Sequence, residues 1–212
     1  MSKTRAKSTP PDYWDQAKRE LVKCDRVLRR IIPDYDGPCL SMNGDPFVTL
    51  ARSIVGQQIS VLAAQTVWNR LVLAIPEFTP AKVARIRIER LRDCGLSQRK
   101  AEYIIDLAAH FRQGGMSFDD WRTLDDEEVI AALTGIRGVG RWTAEMFLIF
   151  NLVRPDVLPL DDVGLQKAVS RHYFAGDRVT RSELREVTEN WAPWRSVGTW
   201  YMWRSLDPLP AA

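Results

Sequence analysis

The stretch Leu133 to Ile149 reads LTGIRGVGRWTAEMFLI, and two adjacent acids, Asp161 and Asp162, follow soon after it. A glycine-rich turn and a pair of carboxylates are the candidates for a working site. Gly135, Gly138 and Gly140 let a backbone turn tightly and let a ligand come close, because no Cβ stands in the way. From Arg141 an apolar helix begins, and the first N–H groups of a helix lack intrahelical partners. Turn and helix start together make a backbone site for an anion such as a phosphate. The same residues could equally be a plain corner between two helices. No GxxxxGK motif is present and no strand precedes the turn, so neither a Walker loop nor a dinucleotide turn is indicated. At a helix start, neighbouring acids point about 100° apart. Asp161 and Asp162 therefore cannot act as equal members of one dyad, and either could simply cap the helix that follows.

The elements that must position these residues are helical almost throughout. Tyr13, Trp14, Ala17, Leu21, Cys24, Leu28, Ile31 and Ile32 recur at three- and four-residue steps, which predicts one apolar helix face. Pro33 and a Gly37-Pro38 turn close it. Asp45-Pro46 opens the next helix, with Asp as cap and Pro at the first helical position, and Phe47, Leu50, Ala51 and Ile54 share a face. Gly56 to Ser60 breaks the pattern, and Ser60 can cap a helix carrying Leu62, Ala63, Val67 and Leu71. Thr79-Pro80 starts a short helix, and Gly95 suits a left-handed cap before the helix from Ser97 to about Phe111. Gly114-Gly115 marks a loop. Asp125 to Glu128 places acids in a helix first turn, where they favour the dipole. Residues 125–150 form helix, hairpin and helix, and the last helices are expected near 162–173, 181–190 and 193–205. Alternating strand patterns are nearly absent, so the fold class is all-α, with about ten helices. Residues 1–10 are polar and are expected to be a flexible tail.

Composition bounds the function. The chain has 212 residues, 45% of them apolar, enough for a core in one compact domain or two small lobes. A formal net charge of +3 permits a nucleic-acid partner without demanding one. Cys24, Cys39 and Cys94 are far apart, and His110 and His172 are the only histidines. No zinc site, iron–sulfur cluster or disulfide framework is expected, and no cofactor. The N-terminal residues lack a signal-peptide core and no apolar run reaches the length of a membrane span. A reducing cytoplasm and a monomer fit these features.

Four segments, in order, carry a resemblance. Leu133 to Ala144 followed by Asp161-Asp162 resembles the signature of the helix-hairpin-helix DNA base-excision glycosylase superfamily. Val55-Gly56-Gln57-Gln58-Ile59-Ser60 is similar to a segment of its alkylbase branch, as are Leu91 to Ile104 and the C-terminal run from Trp191 to Trp203. The chain most resembles the 3-methyladenine DNA glycosylase II family, in a short form without the N-terminal β-rich domain of some members. The resemblance implies two helical lobes, about 45–160 and 11–44 with 161–212, and an active-site cleft between them.

It also implies roles. Gly138, Val139 and Gly140 would offer N–H groups to a DNA phosphate, with Arg137, Arg141 and Thr143 nearby and a monovalent cation at the backbone of Gly135, Gly138 and Gly140. Arg99 and Lys100 could also meet phosphates. Asp162 falls in the register of the catalytic carboxylate, leaving Asp161 as a cap or outer group. A carboxylate there can offset the positive charge that develops on the sugar as the N-glycosidic bond breaks, or orient the attacking water. The strand-cutting members carry a Lys where this chain has Trp142, so a monofunctional enzyme is implied. Trp142 and Trp203 match pocket aromatics that would face a cationic alkylpurine, and Phe47 and Trp200 could line the same pocket. Gln58 matches the wedge that fills the gap left by the flipped base. Val163 and Gly164 depart from the family, where an aromatic often follows the Asp; that side of the pocket is expected to be less aromatic and more open. Each of these residues also has a plain structural explanation: Trp as core, Gln as loop brace, Arg as solvated surface.

The implied activity is release of alkylated purines from duplex DNA, leaving an abasic site. Alternatives are a superfamily glycosylase for other damaged or deaminated bases, or a non-catalytic helix-hairpin-helix DNA-binding module. A plain helical interaction protein would require all four matching segments to be accidental.

Overall fold

Proline, capping side chains and three-to-four-residue apolar spacing recur along the chain, and the structure turns them into helices. The computed structural model describes residues 9–35, 39–42, 44–113 and 118–206. Among these it has thirteen helices and no strand, as the all-α expectation requires. In order they are α1 Trp14–Cys24, α2 Leu28–Asp34, α3 Pro46–Gly56, α4 Val61–Ala74, α5 Pro80–Val83, α6 Ile88–Asp93, α7 Gln98–Arg112, α8 Phe118–Thr123, α9 Asp126–Thr134, α10 Arg141–Phe150, α11 Val163–Tyr173, α12 Arg181–Glu189 and α13 Arg195–Arg204. Most of the expected tail, residues 1–8, lies outside the described residues, as do the Gly37-Pro38 and Gly114-Gly115 turns. No helix among the described residues is long and apolar enough to cross a membrane.

The count exceeds the expected ten partly because the first helix is really two. Asp25 leaves the helical region at φ −129° and ψ 122°. Its Oδ1 accepts from the N–H groups of Val27 and Leu28, at 2.7 and 2.8 Å, and so starts α2. Its Oδ2 accepts from the Tyr173 hydroxyl at 2.7 Å and the Trp191 indole at 2.9 Å. Four donors compensate the desolvation of a buried acid. Apolar periodicity runs straight through Asp25 and gives no warning of the break.

The chain divides into two compact units, Met1–Met42 with Val153–Ala212, and Asn43–Leu152. In the first, α13 packs against α1, α2 and α11. Trp14 meets Trp200 edge-on with ring centroids 5.3 Å apart and stacks on Tyr201 at 5.7 Å. In the second, α3 packs against α4, α7 and α10. Asp45 caps α3 by accepting from Val48, with Pro46 at the first helical position, and Ser60 and Ser97 cap α4 and α7. Asp125 and Glu128 form a capping box on α9, each side chain accepting from the other's backbone N–H. These caps fix where α7 and α9 begin, and with them the loops that carry the candidate site.

Candidate active site and nucleic-acid interface

Asp162 is the N-cap of α11 and is 7% exposed. One carboxylate oxygen, Oδ1, accepts from the Leu165 N–H at 2.6 Å and from the Trp203 indole N–H at 2.7 Å. Two donors on one oxygen fix the rotamer of the carboxylate. Gly164 makes this contact possible. A Cβ at Gly164 would lie 3.0 Å from the Trp203 ring and 3.1 Å from Asp162 Oδ1, so the indole lies in the space a side chain would fill. The expectation of an open side therefore needs revising. Val163 is indeed outside, 74% exposed, but the surface of Gly164 is covered by the half-buried Trp203.

Asp161 lives in another environment. It is exposed and makes a two-oxygen ion pair with Arg181 at the start of α12, Nε to Oδ1 at 2.9 Å. It caps no helix; its neighbour does. Trp200 is core, 7% exposed against Trp14 and Tyr201, with Arg204 over its ring.

The C-terminal Trp191-to-Trp203 segment explains how Asp162 is held. Arg195 pairs with Asp156 through two bonds of 2.6 and 2.7 Å, and the Ser196 hydroxyl accepts from the Val157 N–H at 2.9 Å. The Ser196 N–H in turn donates to the Pro155 carbonyl at 3.0 Å. The non-helical run before Asp162 is therefore clamped to the start of α13. Trp191 is buried on Asp25, and Trp194 stacks on Tyr13 and donates to Glu20 at 2.6 Å. Sequence reasoning found the segment and missed its task, because partners such as Asp156 are ordinary surface-type residues until the fold brings them close.

In the second unit, six residues from Gly135 to Gly140 join α9 to α10. The Val139 N–H donates to the Ile136 carbonyl at 3.0 Å, closing a four-residue turn whose third place is Gly138 at φ +86°. Only glycine adopts that angle easily. A Cβ there would also fall 2.3 Å from the Tyr103 ring of α7. Gly138 is thus required by the turn and by internal packing. A Cβ at Gly140 would meet nothing within 4 Å, so the approach to the helix start is open there. Among the described residues the N–H groups of Gly138 and Gly140 have no hydrogen-bond partner, whereas that of Val139 is used inside the turn. Val139 is itself buried and leaves the set of expected donors. The carbonyls of Gly138 and Gly140 each accept one hydrogen bond already, from Gln57 Nε2 at 2.8 Å and from the Ala144 N–H at 3.1 Å. Each keeps one lone pair for a further ligand such as the expected monovalent cation.

The basic residues are less available than their charge suggests. Arg137 pairs with Asp106 at 2.7 Å, and Arg141 pairs with Glu127 and, at 3.1 Å, with the buried Glu145. The hydrogen bond between Arg141 and Glu127 raises the Arg141 pKa above its usual value and lowers that of Glu127. A phosphate would have to compete with these acids. Thr143 is buried. Lys100 turns inward, its ammonium donating to the carbonyls of Val55 at 2.8 Å and Gln57 at 2.6 Å, which corrects its expected contact with phosphate. Desolvation lowers its pKa.

Gln58 is exposed, at φ +58° on the turn between α3 and α4. A non-glycine residue in the left-handed region is uncommon and points to a function or a strong local constraint. Trp142, in the first turn of α10, is 38% exposed, unusual for so large an apolar ring. Phe47 is the opposite case, 1% exposed, stacked on Phe78 and edge-on to Phe111. It is packed in the core of its unit.

Residues 51–193 match the model of the HhH-GPD superfamily of base excision DNA repair proteins, about two-thirds of the chain. The chain belongs to that superfamily. The HhH-GPD match takes in the second half of α3, the hairpin, Asp162 and Trp191. A solved Schizosaccharomyces pombe 3-methyladenine DNA glycosylase, in complex with abasic DNA, superposes with a TM-score of 0.81 at 30% identity, over 90% of this chain and 96% of that one. A DNA-3-methyladenine glycosidase from Bacillus halodurans superposes with a TM-score of 0.78 at 34% identity, over 89% and 88%. A DNA-3-methyladenine glycosylase of Bacillus subtilis is 29% identical over 88% of this chain, which spans 66% of that protein's length.

Proposed function

We propose that this HhH-GPD protein is a monofunctional DNA glycosylase that hydrolytically removes cationic alkylated purines, 3-methyladenine among them, from duplex DNA and leaves an abasic site. The observation that carries this reading is Asp162: a carboxylate at a helix start, fixed by two donors on one oxygen and almost withdrawn from water. As the N-glycosidic bond breaks, positive charge develops on the sugar. A carboxylate already oriented in a low-dielectric setting offsets that charge without reorganising, and can direct a water to the anomeric carbon.

The other parts follow from the same chemistry. The exposed Trp142 face offers a cation–π surface to a positively charged base. Gly138 and Gly140 offer free N–H groups to a backbone phosphate. Gln58 fills the gap left by the extruded nucleotide. Trp142 also stands where the strand-cutting members carry a lysine, and an indole cannot form a Schiff base. The names of the related glycosylases and the abasic DNA held by the S. pombe relative agree with this reading.

The test is release of free bases from methylated duplex DNA, separated by chromatography against an undamaged control. Methylated purines should appear in solution while the strand stays intact until heated in alkali. No release above the control, or a borohydride-trapped covalent complex, overturns the assignment.

A further inference from the structure

Gln58 poses a mechanical problem. A wedge residue must stay rigid while a base pair is forced open, yet it sits on a short exposed turn in a backbone conformation that costs free energy. Something must hold that turn. The Lys100 ammonium reaches from the first turn of α7 to two carbonyls at the end of α3, immediately ahead of Gln58: Val55 at 2.8 Å and Gln57 at 2.6 Å. The Gln57 side chain then donates to the Gly138 carbonyl of the hairpin at 2.8 Å. One turn further along α7, the Tyr103 ring fills the space under Gly138. The start of α7 thus braces both loops, which lie about eighty residues apart in the chain.

We propose that Lys100 and Gln57 are positioning residues for Gln58: Lys100 locks the wedge turn in its left-handed conformation, and Gln57 ties that turn to the phosphate-binding hairpin. Neither touches the substrate. An ammonium has three donors and no acceptor, so it can hold two carbonyls at once without competing for an N–H. Half-buried, it gives charge-assisted bonds stronger than neutral ones. Grip on the backbone and insertion into the stack become one event, since a hairpin seated on a phosphate fixes where Gln58 enters the duplex.

This rests on the glycosylase reading, and the experiment separates the two. Single-turnover base release is measured for wild type, Gln58→Ala, Lys100→Met, Lys100→Arg and the double variant Gln58→Ala/Lys100→Met. The methylated base is placed in a fully paired duplex, and in a duplex with an abasic site opposite it, where extrusion is cheap. Lys100→Met and Gln58→Ala should each slow release from the paired duplex about tenfold. With the unpaired lesion each should fall by less than about twofold. The double variant should be no slower than the slower single one, since both remove the same wedge. Lys100→Arg, whose cation still reaches the carbonyls, should recover most of the rate. Equal slowing on both duplexes, or multiplicative losses in the double variant, overturns the proposal. If Lys100→Met does not fold, Lys100→Gln, which keeps one donor, is read by the same criteria. If wild type releases no base, the glycosylase reading fails. The wedge is then judged by 2-aminopurine fluorescence opposite an abasic site, whose change on binding wild type must be lost in Lys100→Met.

Discussion

The two regions to which the proposed function assigns the chemistry are built on opposite plans. Around Asp162 the work is done by side chains: an indole and a helix N–H hold one carboxylate oxygen, and a missing side chain at Gly164 makes room for the indole. Around the hairpin the work is done by backbone. Gly138 and Gly140 expose main-chain N–H groups, and the side chains nearby serve mostly to brace loops or to satisfy acids. Under the proposed function, the difference follows from what each region would meet. A reacting sugar presents a charge at one point, and a point charge is best met by one fixed group. A phosphate backbone recurs along any sequence and is met by donors that read no base.

Six substitutions probe that contrast, in order of decreasing expected loss. Asp162→Asn can still accept from Leu165 and Trp203 but carries no charge. Base release should fall by about a hundred- to a thousandfold, on the order of 3–4 kcal/mol, with abasic-DNA binding retained. Trp203→Phe keeps a ring over Gly164 but removes the donor. Release should fall about tenfold, the scale of one hydrogen bond to a charged group. Unchanged release would show that Asp162 needs no such support. Trp142→Ala should discriminate between lesions, losing about threefold to thirtyfold on cationic alkylpurines and less on neutral ones. An equal loss on both kinds would make Trp142 a packing residue.

The hairpin contrast is sharpened by a pair. Gly138→Ala must violate both the turn and the Tyr103 contact, so it should lower thermal stability by about 1–3 kcal/mol. Gly140→Ala meets nothing inside the protein and should leave the melting temperature unchanged while weakening binding to abasic-site DNA severalfold. Comparable melting temperatures for the two variants would contradict the packing described for Gly138. Last and smallest, Asp161→Asn breaks an exposed ion pair. Stability should change by less than about 1 kcal/mol and base release hardly at all. A loss matching that of Asp162→Asn would reverse the assignment between the two acids.

The sequence was most legible where local chemistry decides. Asp45-Pro46, Ser60, Ser97 and Asp125 announce helix starts because a cap is a contact within four residues. The hairpin glycines were legible as a tight turn between two helices, and Gly138 sits at φ +86° there. What stayed hidden depends on partners far away in the chain. Phe47 and Trp200 are aromatic residues near matching segments, and only the fold shows that they are core. Lys100 looked like a phosphate contact, because nothing local says that its ammonium faces the carbonyls of Val55 and Gln57. Gly164 looked like an opening until Trp203, some forty residues later, was found lying across it.

The clamped run ahead of Asp162 has a consequence of its own. Residues between α10 and α11 form no helix, and amides in such connections usually exchange with solvent quickly. Here the Val157 amide is held by the Ser196 hydroxyl, the Asp162 amide by the Pro159 carbonyl, and the Val153 carbonyl by Tyr13 at 2.7 Å. The segment should therefore resist deuterium uptake to the same degree as the core of α13, and should loosen together with it when Arg195 is removed from Asp156. A connection that exchanges like a helix would deliver its last residue to one place every time, which the proposed role of Asp162 requires.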